Sequence, residues 1–358
     1  MRRVLRYAGQ ALVIAVITLA SDYVLTATLF AEQKRTLAEA DAANWKVYVP
    51  APYHHDLYAN YEATRVWGNI IYPWKTDKYG FRTGTCAPTD AEKDREAIFV
   101  IGDSFTEALG STYEDSFAGL MACDAAKQNK AVWNLGVASY SPTIYHRKIR
   151  AAAEKLGVKP REIFVFLDLS DIDDDANVYH IAADGTVATA AAPSSQKPMR
   201  TFYLGQFLIN NFTTVRFFFD LYLTTSFSYS NSVGRYRARW TIDPALLDGW
   251  GRRGLDMAAR NLEKVVEICE EWDCRVTLVV YPWPDNVMAH DKDSIQVTYW
   301  RDWASKHGVR FIDGFAPFFR EPAEATMKKY YIAGDIHFTE AGNRLLYEEV
   351  RQAINTDW

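Results

Sequence analysis

From about residue 97 onward the chain alternates short apolar runs with longer amphipathic stretches, and no other feature restricts its fold as much. The runs at 98–101, 131–134, 163–169, 276–281 and 309–312 are too short for core helices and carry no polar alternation, as expected of strands buried on both faces. Helical spacing fills the intervals at 116–126, 143–156, 255–271 and 294–307, with a final helix from Thr339. Strands separated by helices pair in parallel, because a parallel neighbour needs a crossover and the crossover covers a face of the sheet. The expected fold is therefore α/β: a three-layer α/β/α sandwich around a five-stranded parallel sheet. At 358 residues, 49% of them hydrophobic, the chain can bury one large core or two modest ones. The net charge of −5 comes with no basic stripe interleaved with aromatics, so nucleic acid is not an expected partner.

The N-terminus adds a second constraint. Arg2, Arg3 and Arg6 precede a largely apolar run over 7–30, which as a helix reaches roughly 36 Å against a hydrocarbon layer of about 30 Å. Arginines before the run and none directly after it favour a cytoplasmic N-terminus. That predicts a single-pass protein of a bacterial-type inner (cytoplasmic) membrane, with the remainder on the periplasmic side. Gln10 and Asp22 are costly inside such a span, and Asp22 is expected near the outer interface or against a partner helix. A cleaved signal peptide with its apolar region at 11–20 is the rival, but the small-residue cleavage pattern after it is poor.

The expected organisation is an anchor at 1–30, a tether and irregular lead-in at 31–96, and one domain at 97–358 with an insertion at about 173–248. The lead-in is rich in Tyr, Trp, Pro and His and is expected to form a lid or an edge. The insertion has a strongly aromatic middle, 201–231, expected to be a cap over the site, a surface lying on the membrane, or ordinary core; Arg216 and Asp220 argue against a second span. The four cysteines allow three pairings. Cys269 with Cys274 is the natural local pair, leaving Cys86 with Cys123, and the alternative is that some are buried thiols.

In a doubly wound sheet, ligands sit beyond the carboxyl ends of the strands. The first strand is followed by Gly102-Asp103-Ser104-Phe105-Thr106, which sets a serine at a strand-to-helix turn where backbone N–H groups and the helix dipole favour a developing oxyanion. The second is followed by Asn134-Leu135-Gly136 and the third by Asp168-Leu169-Ser170-Asp171. Asp335 and His337 share a loop before the last helix. A serine needs a base, and the base needs a carboxylate to hold its tautomer. Ser104, His337 and Asp335 can fill those three roles.

These blocks, GDSF, NLGVASYSP and DIHFTEAGN, resemble those of the SGNH (GDSL-like) hydrolases over roughly residues 97–358. The resemblance implies a flavodoxin-like sheet order, Ser104 as nucleophile with His337 and Asp335 completing a triad, and oxyanion donors at the N–H groups of Ser104 and Gly136. Leu169-Ser170-Asp171 stands where the family usually has Gly-x-Asn-Asp, so either Ser170 replaces the asparagine as third donor or the hole is weaker. Asp-x-His replaces the usual Asp-x-x-His, a spacing similar to that of acyltransferase-like branches that include proteins of alginate O-acetylation. Asp103, Asn134 and Asp171 are expected to contact substrate, and Trp283 to stack on a sugar ring at the mouth of the site or to plug the core. Other candidates are weaker: His54, His55 and Asp56 lack further metal ligands at sensible spacing, and the acids at 171 and 173–175 lack the glycine and distal glutamate of a calcium loop, so a solvated loop is expected.

The resulting expectation is an ester hydrolase or O-acyltransferase working through an acyl-enzyme, without cofactor or metal, on acyl (acetyl above all) esters of an extracytoplasmic carbohydrate. The alternatives are a lipid or lysophospholipid esterase and a non-catalytic polysaccharide-binding or assembly component that keeps the fold.

Overall fold

In a computed structural model of the chain, the described residues are 2–68, 70–190, 205, 207–209, 211–225 and 235–354. The sheet consists of β5 (Glu96–Ile101), β6 (Lys130–Asn134), β7 (Glu162–Leu167), β10 (Arg275–Val280) and β11 (Arg310–Asp313), in the spatial order β11-β10-β7-β5-β6 with every pairing parallel. Numbering those five strands along the chain gives the order 2-1-3-4-5, the doubly wound flavodoxin-like arrangement that the sequence predicted. The strand order reverses between β5 and β7, the place where ligands sit in sheets of this kind. All six residues of β7 are buried, as a central strand covered on both faces requires.

The helices form the two outer layers. On one side α4 (Phe117–Lys127) packs against the last helix, α10 (Glu340–Ala353). On the other, α5 (Pro142–Leu156) packs against α8 (Arg252–Trp272), which meets α9 (Ile295–His307). Preceding the sheet are α1 (Arg2–Thr28) and α2 (Ala31–Lys46). Residues Arg6–Thr28 of α1 are long and apolar enough to cross a membrane, and only 11% of the most apolar window is buried, unlike a core helix.

The lead-in is not irregular. After α2 come two hairpins, β1 (Tyr48–Ala51) with β2 (His54–Leu57) and β3 (Glu62–Trp67) with β4 (Ile70–Lys75). Pro50 and Pro73 obscured them, because proline disqualifies a central strand; in a two-stranded ribbon both strands are edges and a missing N–H is tolerated. Period-two burial is plain in β4, with Tyr72 and Trp74 inward and Ile71, Pro73 and Lys75 outward. The acidic run at 171–175 also differs from expectation. It forms α6 (Ser170–Asp173) and a continuing π-turn, with Asp171, Asp173, Asp174 and Asp175 all buried and held by Tyr145, Arg237, Ser141 and Asn261. Part of the aromatic insertion lies outside the described residues; within it, α7 (Thr213–Thr225) packs against α1.

Cys86 is bonded to Cys123 and Cys269 to Cys274. The first bridge ties the approach to β5 onto α4, and the second joins the end of α8 to the start of β10. Closing a loop with a sequence separation of 37 restricts the unfolded chain by about 4 kcal/mol, against about 2 kcal/mol for a separation of 5. Denaturant unfolding is therefore expected to show a larger loss for the Cys86→Ser/Cys123→Ser pair than for Cys269→Ser/Cys274→Ser.

Candidate active site

β5 delivers Ser104 to the sheet's point of reversal. The turn out of the strand is tight: a Cβ on Gly102 would lie 2.7 Å from the carbonyl oxygen of Phe166 on β7. Asp103 then caps the short helix α3 (Ser104–Glu107) by accepting the Phe105 N–H at 3.1 Å. Ser104 is the first helical residue, where backbone N–H groups have no partner within their own helix.

His337 and Asp335 come from the loop before α10. The Nε2 atom of His337 lies 2.8 Å from Ser104 Oγ, and its Nδ1 lies 2.5 Å from Asp335 Oδ1. The same carboxylate oxygen accepts the His337 backbone N–H at 2.9 Å. With Nδ1–H directed at the carboxylate, Nε2 is left to accept a proton from the serine. Burial alone would raise the Asp335 carboxyl, but the adjoining His337 ring and its N–H bonds outweigh it and hold the group well below the usual carboxylate range. Phe105 and Trp67 wedge the imidazole, with ring centres at 4.7 and 5.2 Å and Trp67 perpendicular to it.

Asp103 is the other acid near the serine, its Oδ2 accepting from Ser104 Oγ at 3.1 Å. Burial, reinforced by the adjacent Asp168, pushes its carboxyl well above the ordinary range.

Several predicted contacts fall elsewhere. Asn134 is buried and acts as a brace, its Nδ2 donating to the Thr106 carbonyl at 2.8 Å and its Oδ1 accepting the Gly136 N–H at 2.9 Å. Gly136 lies against α3, the helix that starts with Ser104, so closely that a Cβ would meet Thr106 Cβ at 2.5 Å. Its N–H, the expected oxyanion donor, is thus engaged by Asn134 in the resting site. Ser170 donates its hydroxyl to Asp168 Oδ1 at 2.8 Å and does not take the place of the missing asparagine. Asp171 is fully buried beneath the site and accepts from Tyr145 at 2.7 Å. Of the two roles open to Trp283, the structure gives it the core plug: it is only 2% exposed and donates its indole N–H to Asp168 at 3.0 Å.

Oxygens of Asp103, Asp168 and Asp171 lie within 4.8 Å of one another, which among the described residues is the grouping closest to a metal-ligand set. Burial, reinforced by the neighbouring Asp168, pushes the carboxyls of both Asp171 and Asp103 above their ordinary range. The His54-His55-Asp56 combination is committed otherwise. Asp56 is paired with Lys148 at 2.5 Å and accepts from Tyr53, while His55 Nε2 bonds the Ala138 carbonyl at 2.8 Å.

The sequence did not announce what the hairpins do here. Arg65 of β3 is buried and forms an ion pair with Glu107, at the end of α3, at 2.6 Å. The other oxygen of Glu107 accepts the Ala138 N–H at 2.8 Å, and Asn44 of α2 holds Arg65 from behind at 3.0 Å. Ala138 is thus gripped by Glu107 at its N–H and by His55 at its carbonyl. The loop that follows β6 is positioned by the segment expected to be a tether. The available signal was a lone acid, Glu107, in the otherwise uncharged stretch that follows the nucleophile.

With this geometry in hand, the comparisons are informative about class. Residues 100–345 match the GDSL-like lipase/acylhydrolase family, and the chain belongs to that family; it is an ester-bond hydrolase. Similar solved structures include TesA (12% identity, TM-score 0.42, covering 72% of this chain and 98% of that one). A GDSL-like lipase from Bacteroides thetaiotaomicron shows 12% identity and a TM-score of 0.40, covering 76% of this chain and 92% of that one. A catalytic mutant of Axe2, an acetylxylan esterase from Geobacillus stearothermophilus, shows 13% identity and a TM-score of 0.37, covering 74% and 95%. No curated protein matches the sequence.

Two outcomes are expected. Arg65→Met leaves Glu107 buried without its partner and lowers stability by about 3–5 kcal/mol in urea titrations, whereas adding Glu107→Gln recovers part of the loss. Asp103→Asn keeps the cap and removes a group whose folded pKa is raised. Wild-type stability from this group is full below the unfolded carboxyl's pKa and is lost as pH climbs toward the raised folded value, so the variant gains on wild type as pH rises above about 4 in parallel unfolding curves.

Proposed function

We propose that the chain is a serine-dependent, membrane-anchored enzyme that cleaves or transfers acyl groups, acetyl foremost, on an extracytoplasmic carbohydrate. The observation that carries this reading is the unbroken line of hydrogen bonds from Ser104 Oγ through His337 to Asp335. Nε2 of His337 takes the hydroxyl proton while Oγ attacks the ester carbonyl. The charge that develops on the carbonyl oxygen is met by the Ser104 N–H at the helix N-terminus and by the Gly136 N–H, which turns from Asn134 toward it. Collapse expels the alcohol, which leaves with the proton from His337, and the acyl group remains on Ser104. Water then attacks in an esterase, or a sugar hydroxyl in a transferase, giving its proton to His337 and returning the serine. The outward orientation is supported by Arg2, Arg3 and Arg6, which precede the apolar run of α1.

A second reading, a lipid-ester substrate, is favoured by one observation: Phe217 and Phe218 of α7 are 60% and 61% exposed beside α1. Acyl-chain preference separates the two, since a carbohydrate deacetylase discriminates against longer acyl groups and a lipid esterase favours them.

The test uses the full chain in detergent micelles with short-chain chromogenic esters. Ser104→Ala and His337→Ala are each expected to lower kcat by about a thousandfold or more, and Asp335→Asn by a comparable factor through the wrong imidazole tautomer. Full turnover in Ser104→Ala would sink the mechanism. Burst kinetics with stalled release in the wild type, relieved by added sugar acceptor, would identify a transferase.

A further inference from the structure

Asp22 is the anomaly of α1, an acid in an apolar run, and it is only 6% exposed; Thr26, one turn on, is 3% exposed. Both face the start of α7. The Thr214 N–H donates to the two carboxylate oxygens of Asp22 at 3.1 and 3.2 Å, and the Thr213 N–H donates to Thr26 Oγ1 at 2.9 Å. The hydroxyls of Thr26 and Thr213 are also 2.9 Å apart, and the rings of Tyr23 and Phe212 meet at 5.8 Å. Residues of the candidate membrane helix thus cap the N-terminus of a second helix 187 residues or more further along the chain.

The first N–H groups of a helix have no partner within it, and in water solvent supplies one. Hydrocarbon supplies none, so a helix that starts inside a bilayer must find its acceptors on protein. An acid in the same place also needs donors. Asp22 and α7 solve each other's problem. Asp22 lies about 24 Å along the helix from Arg6, in the outer part of a hydrocarbon layer of about 30 Å. With 13 residues α7 reaches only about 20 Å, too short to span. Phe217, Phe218 and Leu221 of α7 are exposed, as is Leu25 of α1, which α7 packs against; large apolar side chains concentrated in this way are rare on a face meant for water.

We propose that α7 is embedded in the outer leaflet, in contact with lipid acyl chains and pinned to α1 by Asp22 and Thr26, and that α1 is consequently retained and not cleaved as a signal sequence. This rests on α1 being the anchor and holds for either substrate class. The surface it defines is a two-helix membrane foot that holds the hydrolase domain at the bilayer.

The experiment uses the full chain in phosphatidylethanolamine/phosphatidylglycerol vesicles. Nitroxides are placed singly at Phe218→Cys, Val16→Cys and, as an aqueous reference, Asp184→Cys, the native cysteines being paired. Accessibility to oxygen and to a nickel chelate is read at each, and retained ester hydrolysis certifies the fold. The expected result is a site 218 that matches site 16, severalfold more protected from nickel than site 184, with Asp22→Leu moving site 218 toward the aqueous value. Aqueous accessibility at 218 with lipid-like behaviour at 16 would overturn the embedded helix alone, and aqueous behaviour at both would overturn the anchor as well. An unchanged site 218 in Asp22→Leu would overturn the pinning role, and a mature N-terminus beyond residue 28 by mass spectrometry would overturn retention.

Discussion

The buried pair of Arg65 and Glu107 links the two halves of this molecule. Charges of this kind are tolerated away from water only when every lone pair and proton is matched. Here Arg65 is matched by Glu107 and Asn44, and Glu107 by Arg65, the Ala138 N–H and the Tyr48 hydroxyl. Satisfying those groups fixes three things relative to one another: the first hairpins, the helix that starts with Ser104, and the loop after β6. Precision at the serine therefore depends on residues far from it in sequence.

The sheet was legible because its strands are buried on both faces, so short apolar runs had no competing explanation once helices separated them. All five strands and the major helices appear within a few residues of their expected positions. The hairpins were not legible. Their prolines lie on edges, their aromatics alternate over only a few residues, and their stability comes from docking on the α/β core, which no local pattern encodes. The acidic run was misjudged for a related reason: solvated is the ordinary state of clustered acids, and only tertiary partners such as Arg237 and Tyr145 make burial acceptable.

At the site, the meeting of Ser104, His337 and Asp335 was legible, since the strand-to-helix turn and the loop before α10 that carry them have positions that follow from the fold. Their neighbours were misassigned in one direction. Asn134 and Asp171 were expected to face a ligand, and Ser170 and Trp283 were each left with a ligand-facing alternative; all four instead face protein, bracing backbone or bonding to Asp168. A polar residue at a strand end looks the same in sequence whether it points outward or inward. The distinction lies in which donors and acceptors the surrounding loops leave over, and those loops come from distant parts of the chain.

The serine and the imidazole that meet at 2.8 Å are 233 residues apart, with the loop after β6 and the insertion between them. In a chain that emerges from a ribosome or a translocation pore in order, Ser104 appears early and His337, the base of the proposed mechanism, nearly last. Until that final loop docks, Ser104 is an ordinary hydroxyl, so the order of synthesis keeps the nascent chain from acting on esters it meets along its route.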